Sequence, residues 1–171
     1  MARPLPPESA TFYHHYIKLT QGNSATEAVN NHSAQLLDFY TNLPENKADY
    51  AYAEGKWTLK ELLQHLIDAE RVFTYRTMRI ARKDTTPLAG FDENTYTANS
   101  LANSRNFTSL KEEFAALRRS TDLFILSLNE EQLKGSGTAS GNFITANALA
   151  FIIYGHLLHH VNIIKERYLQ A

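Results

Sequence analysis

At three places in this chain an apolar stripe with a step of three or four begins directly behind a Ser or Thr that is followed three residues later by a Glu. This is the pattern of a capped amphipathic helix. The hydroxyl accepts the orphan backbone N–H of the first turn, the carboxylate reaches back to the cap, and the apolar positions share one face. Ser24 and Glu27 open a helix over about residues 25–42, with Val29, Ser33, Leu36, Tyr40 and Leu43 in its stripe and Pro44 as its stop. Thr58 and Glu61 open the longest one, whose stripe of Leu59, Leu62, Leu63, Leu66, Phe73 and Ile80 runs to about Arg82. Ser109 and Glu112 open a third, with Leu110, Phe114, Leu117, Thr121, Phe124 and Leu128 on one side. A fourth begins at Thr145, flanked by Ile144 and Leu149 as a hydrophobic staple, and carries Leu149, Ile153, His156, His160, Ile163 and Ile164 toward Arg167.

No alternating segment bounded by hairpin signals is evident, so the predicted class is all-α, a four-helix bundle in one domain spanning residues 1–171. Residues 1–23 are read as an N-terminal arm, with a short helix between Glu8 and Leu19 that groups Phe12, Tyr13, Tyr16 and Ile17. The connections come to about 15, 26 and 16 residues, long for a bundle. The middle one, Lys83–Thr108, can run the length of the bundle and let the second and third helices lie parallel, and it can carry a lid. The Gly135–Gly141 stretch reads as a flexible connection, since no strand precedes it as a phosphate loop requires.

Lys plus Arg total 17 against 18 Asp plus Glu, so no bulk charge draws the chain to nucleic acid or to an anionic membrane. The longest unbroken apolar run, Ala148–Tyr154, is far short of a bilayer span. The opening residues hold three prolines and no apolar stretch, which argues against a secretory signal and for a cytoplasmic protein.

The chain has no cysteine and seven histidines. The first count excludes cysteine-ligated metals and a protein thiol nucleophile. Among the histidines, His156 and His160 are four apart in the fourth stripe, so both project from one face about a turn apart. His65 flanks the second stripe about 9 Å along its helix, and the pair lies about 12–18 Å from the far end of the fourth. These levels match if the two helices run antiparallel. Spacing alone leaves two readings open: a three-histidine metal site, or buried histidines that each hydrogen-bond a neighbour. His159 is turned about 100° from His160 and reads as a residue that supports the ligands from behind or stands at the rim. His14, His15 and His32 read as structural or solvated.

Among the carboxylates, Glu61 and Asp68 lie within a turn of His65 and could orient its second ring nitrogen, although the cap already accounts for Glu61 and a solvated face for Asp68. Glu70 falls inside the apolar stripe, where a carboxylate needs a partner, and an arginine from another helix is the expected one. Asp92 and Glu93 read as surface turn residues of the long loop. Arg71, Arg76, Arg79, Arg82 and Lys83 spread around the end of the second helix and suit its negative dipole end.

The run from Trp57 through Thr58, Glu61, His65, Asp68, Glu70 and Arg71, together with Gly155, His156, His159 and His160, resembles the DinB/YfiT-like metalloenzymes. Pro87 to Glu93 and the ending Lys165–Leu169 resemble one branch of that family, so the likeness covers nearly the whole chain. The resemblance implies an up-down-down-up bundle and a divalent ion, zinc or nickel, held by His65, His156 and His160. It also implies a homodimer and small-molecule chemistry, because characterised members include thiol-dependent S-transferases and a mycothiol-dependent isomerase. Three neutral imidazoles leave the ion's full charge and an open position, the arrangement that activates water or a thiol. The reading is therefore a metal-dependent transferase that activates a low-molecular-weight thiol supplied from outside. The rivals are a metal-dependent hydrolase and a stress or interaction protein in which the ion only braces two helices. A fourth protein ligand such as Asp92 or His159 would favour the last.

Overall fold

A computed structural model describes residues 1–170. The helices are α1 (His14–Leu19), α2 (Ala25–Thr41), α3 (Leu59–Ala81), α4 (Glu93–Asn99), α5 (Phe107–Ser127), α6 (Glu130–Lys134) and α7 (Ala146–Ile163), the last continued by a π-helical turn over Ile164–Tyr168. Strands β1 (Ser136–Ala139) and β2 (Asn142–Thr145) precede α7. The four long helices match the four stripes. Ser24, Thr58 and Thr145 cap α2, α3 and α7, each hydroxyl accepting from the backbone N–H three residues on. The cap of α5 differs from the expected Ser109: Asn106 takes the position, its carboxamide accepting from the Thr108 N–H, so the helix starts at Phe107.

Side-chain links set the directions of the bundle. Between α2 and α5, Ser33 bonds Asp122 while Tyr40 packs on Phe114, so these helices are antiparallel. Between α3 and α5, Glu70 pairs with Arg118 and Thr74 with Thr121, so these run parallel. His65 meets His156 and the Tyr168 hydroxyl bonds the Trp57 carbonyl, which makes α3 and α7 antiparallel. With α2 up, α3 and α5 run down and α7 runs up. The up-down-down-up wiring follows, and the long 83–106 connection is what permits two consecutive parallel helices.

At the centre, a polar network joins all four long helices. Arg118 lies 2.9 Å from Glu70 and also pairs with Asp122, which accepts from the Tyr154 hydroxyl at 2.6 Å and from Ser33. Glu70 thus has the interhelical arginine its place in the stripe demands. Around the network the core is apolar, with Leu36, Leu63, Leu66, Ile67, Phe114, Phe151 and Ile152 fully buried. Helix α7 with its π-turn is long and apolar enough, by length and composition, to cross a membrane, but 72% of its apolar window is buried inside the protein. It is the central helix of the core.

The segment expected to be a flexible connection is a β-hairpin. Its turn, Ser140–Gly141, holds both residues at positive φ (50° and 76°), the geometry whose twist matches that of paired strands. Strand alternation is missing because the hairpin is only four residues a side and half exposed. The hairpin also captures the long loop, since the Leu88 N–H donates to the Thr138 carbonyl and the Ser140 N–H to the Leu88 carbonyl. The N-terminal arm is α-helical only over His14–Leu19, preceded by 3-10 turns at Pro6–Glu8 and Thr11–Tyr13, and its helix lies across α7. His32 fixes its exit, accepting from the Gln21 N–H at 2.7 Å, and His14 bonds the Pro6 carbonyl.

Candidate metal centre

Helix α3 contributes His65 from its second turn and α7 contributes His156 and His160 from consecutive turns. Antiparallel packing brings the three to one level, with ring centroids 4.7–5.2 Å apart and exposures of only 5–8%. One nitrogen from each ring lies within 4.8 Å of the others, and Nε2 of His65 faces Nε2 of His156 at 3.2 Å. Two nitrogens each about 2.0–2.1 Å from one tetrahedral ion stand about 3.3 Å apart, so this spacing suits a shared ion. Among the described residues the buried Nδ1 of His160 has no hydrogen-bond partner. The bland alternative, a separate hydrogen-bond partner for each ring, therefore does not describe this group.

Burial holds these rings neutral. It pushes His65 down to about 4 and His160 down to about 3, the latter assisted by His65 and His159, and it holds His156 well below the usual imidazole range. Neutral imidazole has the free lone pair a metal needs. Packed against the cluster are Trp57, tilted 4.8 Å from the His65 ring, and, edge-on to His156, Phe73 at 5.6 Å and Tyr16 at 5.4 Å.

The cluster forms the floor of a cavity of about 420 Å³. Phe12, Tyr13 and Tyr16 of the arm, Trp57, Phe73 and Arg76 of the α3 region, Phe91 and Glu93 of the long loop, and Ser140 of the hairpin wall it. The long connection therefore does fold over the site. Asp92 caps α4 by accepting from the Thr95 N–H at 2.7 Å, which turns Glu93 toward the rim.

The other sequence candidates lie elsewhere. Glu61 spends one oxygen on the Thr58 N–H at 2.8 Å and the other on the Asn103 carboxamide at 2.9 Å, so its carboxylate serves the cap and the loop and not His65. Asp68 accepts from Gln64 at 3.0 Å and lies in a separate groove with Arg105 and Tyr96. His159 sits at the cavity rim between His15 and Tyr16, outside the three-nitrogen group. Sequence reasoning missed the arm tyrosines, Trp57 and Arg76. Arg76 was legible in principle, because His65, Ala69, Phe73 and Arg76 repeat at helical spacing along the cavity face of α3.

The model of the DinB superfamily matches residues 28–164. The chain belongs to the DinB superfamily. Solved structures agree with this DinB-like fold. YfiT from Bacillus subtilis, described as a probable metal-dependent hydrolase with an unusual four-helix bundle topology, is 18% identical with a TM-score of 0.65, covering 96% of this chain and 91% of that one. The mycothiol-dependent maleylpyruvate isomerase is 14% identical with a TM-score of 0.61, covering 88% of this chain and 59% of its own. A DinB-like protein from Bacillus subtilis, YjoA, is 18% identical with a TM-score of 0.59, covering 85% and 90%. No curated protein matches the sequence significantly. At these identities the likeness of this DinB member to the solved structures is one of fold.

Proposed function

We propose that this protein is a divalent-metal-dependent enzyme acting on small molecules, with His65, His156 and His160 as its ligands and zinc or nickel as its ion. The supporting observation is that three buried, neutral imidazoles converge at the floor of a cavity. Among the described residues no fourth His or carboxylate joins them. A metal that only braced two helices would favour a closed set of protein ligands, whereas three ligands leave a coordination position for a reactant. When bound, the ion supplies Lewis acidity and a lowered pKa for whatever protic group occupies that position.

The leading reaction is transfer of a low-molecular-weight thiol to a small electrophile. The chain has no cysteine, so both partners of a sulfur transfer come from outside, and the cavity has room for them to meet. The mycothiol dependence of one fold neighbour supports this reading. Hydrolysis is the second reading, supported by the description of YfiT and by the same open position. The chain's own residues hold the ion, exclude bulk water with the Trp57, Tyr16 and Phe73 rings, and keep the imidazoles unprotonated. A cytoplasmic homodimer with no nucleic-acid or membrane partner completes the proposal.

Metal analysis of untagged protein tests the site: about one ion per chain is expected, and retention of more than half of it by His160→Ala would overturn the ligand set. A panel of thiols and electrophiles, assayed with and without zinc, nickel and manganese, tests the chemistry. Metal-dependent turnover with a thiol supports transfer, and ester or amide hydrolysis without any thiol requirement moves the reading to hydrolase.

A further inference from the structure

Arg76 is a buried cation. It is 2% exposed, and no carboxylate ion-pairs with it among the described residues. Its Nη2 donates to the Ala89 carbonyl at 2.7 Å and to the Ser140 hydroxyl at 2.9 Å, both neutral acceptors. The other fully buried arginine, Arg118, has two carboxylates. Neutral acceptors satisfy hydrogen bonds but leave the charge uncompensated, and an unpaired buried charge is costly. A clamp between α3, the loop and the hairpin would need only the donors and not the charge.

Arg76 is also a wall of the histidine cavity, beside the Tyr13 hydroxyl and near the Phe91 ring. Ser140, which orients it, is held at positive φ in the hairpin turn, so the guanidinium is fixed by two tertiary elements. A planar fork so held suits a planar oxyanion. A single positive charge between aromatic walls matches a monoanion better than a phosphate dianion. Among the described residues Glu93 is the one carboxylate on the cavity wall, and it stands exposed at the rim beyond ion-pair distance of Arg76.

We propose that Arg76 anchors a carboxylate of the substrate, so that the molecule spans the cavity from this guanidinium to the three-histidine floor. This deepens the enzymatic reading above and rests on it for the word substrate, but the binding itself needs no metal. The test therefore uses chelator-treated, metal-free protein and the pair benzoate and benzamide, equal in shape and different in charge. Trp57, the chain's single tryptophan, lies in the same wall and reports occupancy by fluorescence, with calorimetry alongside.

Wild type is expected to bind benzoate about tenfold or more tighter than benzamide, as a charge-assisted contact implies. Arg76→Gln is expected to bring the two within about twofold, and Glu93→Gln to strengthen benzoate by removing a competing anion. Equal affinities in wild type, no binding of either up to about 50 mM, or an undiminished preference in Arg76→Gln each overturn the assignment. If Arg76→Gln does not fold, Arg76→Lys is read instead: benzoate weakened about threefold or more with benzamide unchanged supports the fork, and unchanged benzoate overturns it. Because zinc is absent throughout, loss of metal binding in His160→Ala bears only on the metal site.

Discussion

Gly155 and Tyr16 are in contact so close that no side chain fits between them: a Cβ on Gly155 would lie 2.1 Å from the Tyr16 carbonyl oxygen. The arm crosses α7 at that glycine, one residue before His156, and the crossing places the Tyr16 ring against His156. Closure of the cavity thus depends on the absence of one methyl group in a neighbouring helix.

Gly155→Ala is therefore expected to displace the arm and not to unfold the bundle, since the clash is with the backbone of a peripheral segment. Hydrogen exchange should rise across residues 11–20, and Trp57 emission should shift to the red as water enters. Stability is expected to fall by about 1–3 kcal/mol, as overpacking does. Unchanged exchange in the arm would contradict the crossing described here.

The Glu70–Arg118 pair offers a second test. Both groups are within 2% of complete burial, so Glu70→Ala leaves a buried guanidinium with only Asp122 and should cost about 3–5 kcal/mol in urea unfolding. Replacing both, as Glu70→Leu with Arg118→Met, is expected to recover most of that loss, because the desolvation penalty leaves with the charges. A double variant no more stable than the single one would mean that the network holds the helices by geometry that apolar packing cannot replace.

The histidines make the metal-free protein acid-sensitive. In the folded chain His65 is pushed down to about 4 and His160 down to about 3, while the unfolded chain titrates near 6.5. Between these values the unfolded state binds more protons than the folded one, so stability rises with pH through the window. The contribution is present in full above about 6.5 and is lost as pH falls toward 4 and then 3, about 3 kcal/mol for His65 alone. Unfolding curves of chelator-treated protein from pH 7.5 to 4 should show this slope, and His65→Phe should flatten it.

Glu61 separates a cap from a partner of the metal ligands. Glu61→Gln is expected to leave metal affinity within about twofold, whereas a carboxylate orienting a ligand would cost 10-fold or more. Thr58→Ala should lower stability by about 1 kcal/mol through loss of the same capping box. A tenfold drop in metal affinity on Glu61→Gln would return Glu61 to the site.

The bundle was legible because its signals are local. Capping boxes and stripes act within a few residues, so α2, α3 and α7 begin where Ser24, Thr58 and Thr145 place them. The same holds for the His156–His160 pair, which helical geometry alone puts on one face. The start of α5 was misplaced because Ser109 and Glu112 have box spacing while Asn106, which caps through a shorter bond to Thr108, lies three residues earlier. The hairpin escaped because its turn is Ser–Gly and its strands are too short to show a period.

By itself, then, the sequence determined the helices, the apolar faces they bury and the residue types on offer: three histidines at matched depth, a stripe carboxylate in need of a cation, and no thiol. Tertiary structure decided which of these meet. Only the parallel run of α3 and α5 hands Arg118 to Glu70, and the antiparallel run of α3 and α7 sets the histidine nitrogens within 4.8 Å of one another. The crossing at Gly155 and the hairpin turn at Ser140 bring in an arm and an arginine far removed in sequence. Local signals act over a helical turn, whereas the histidine site is built from a contact across 91 residues, and that depends on how whole helices pack.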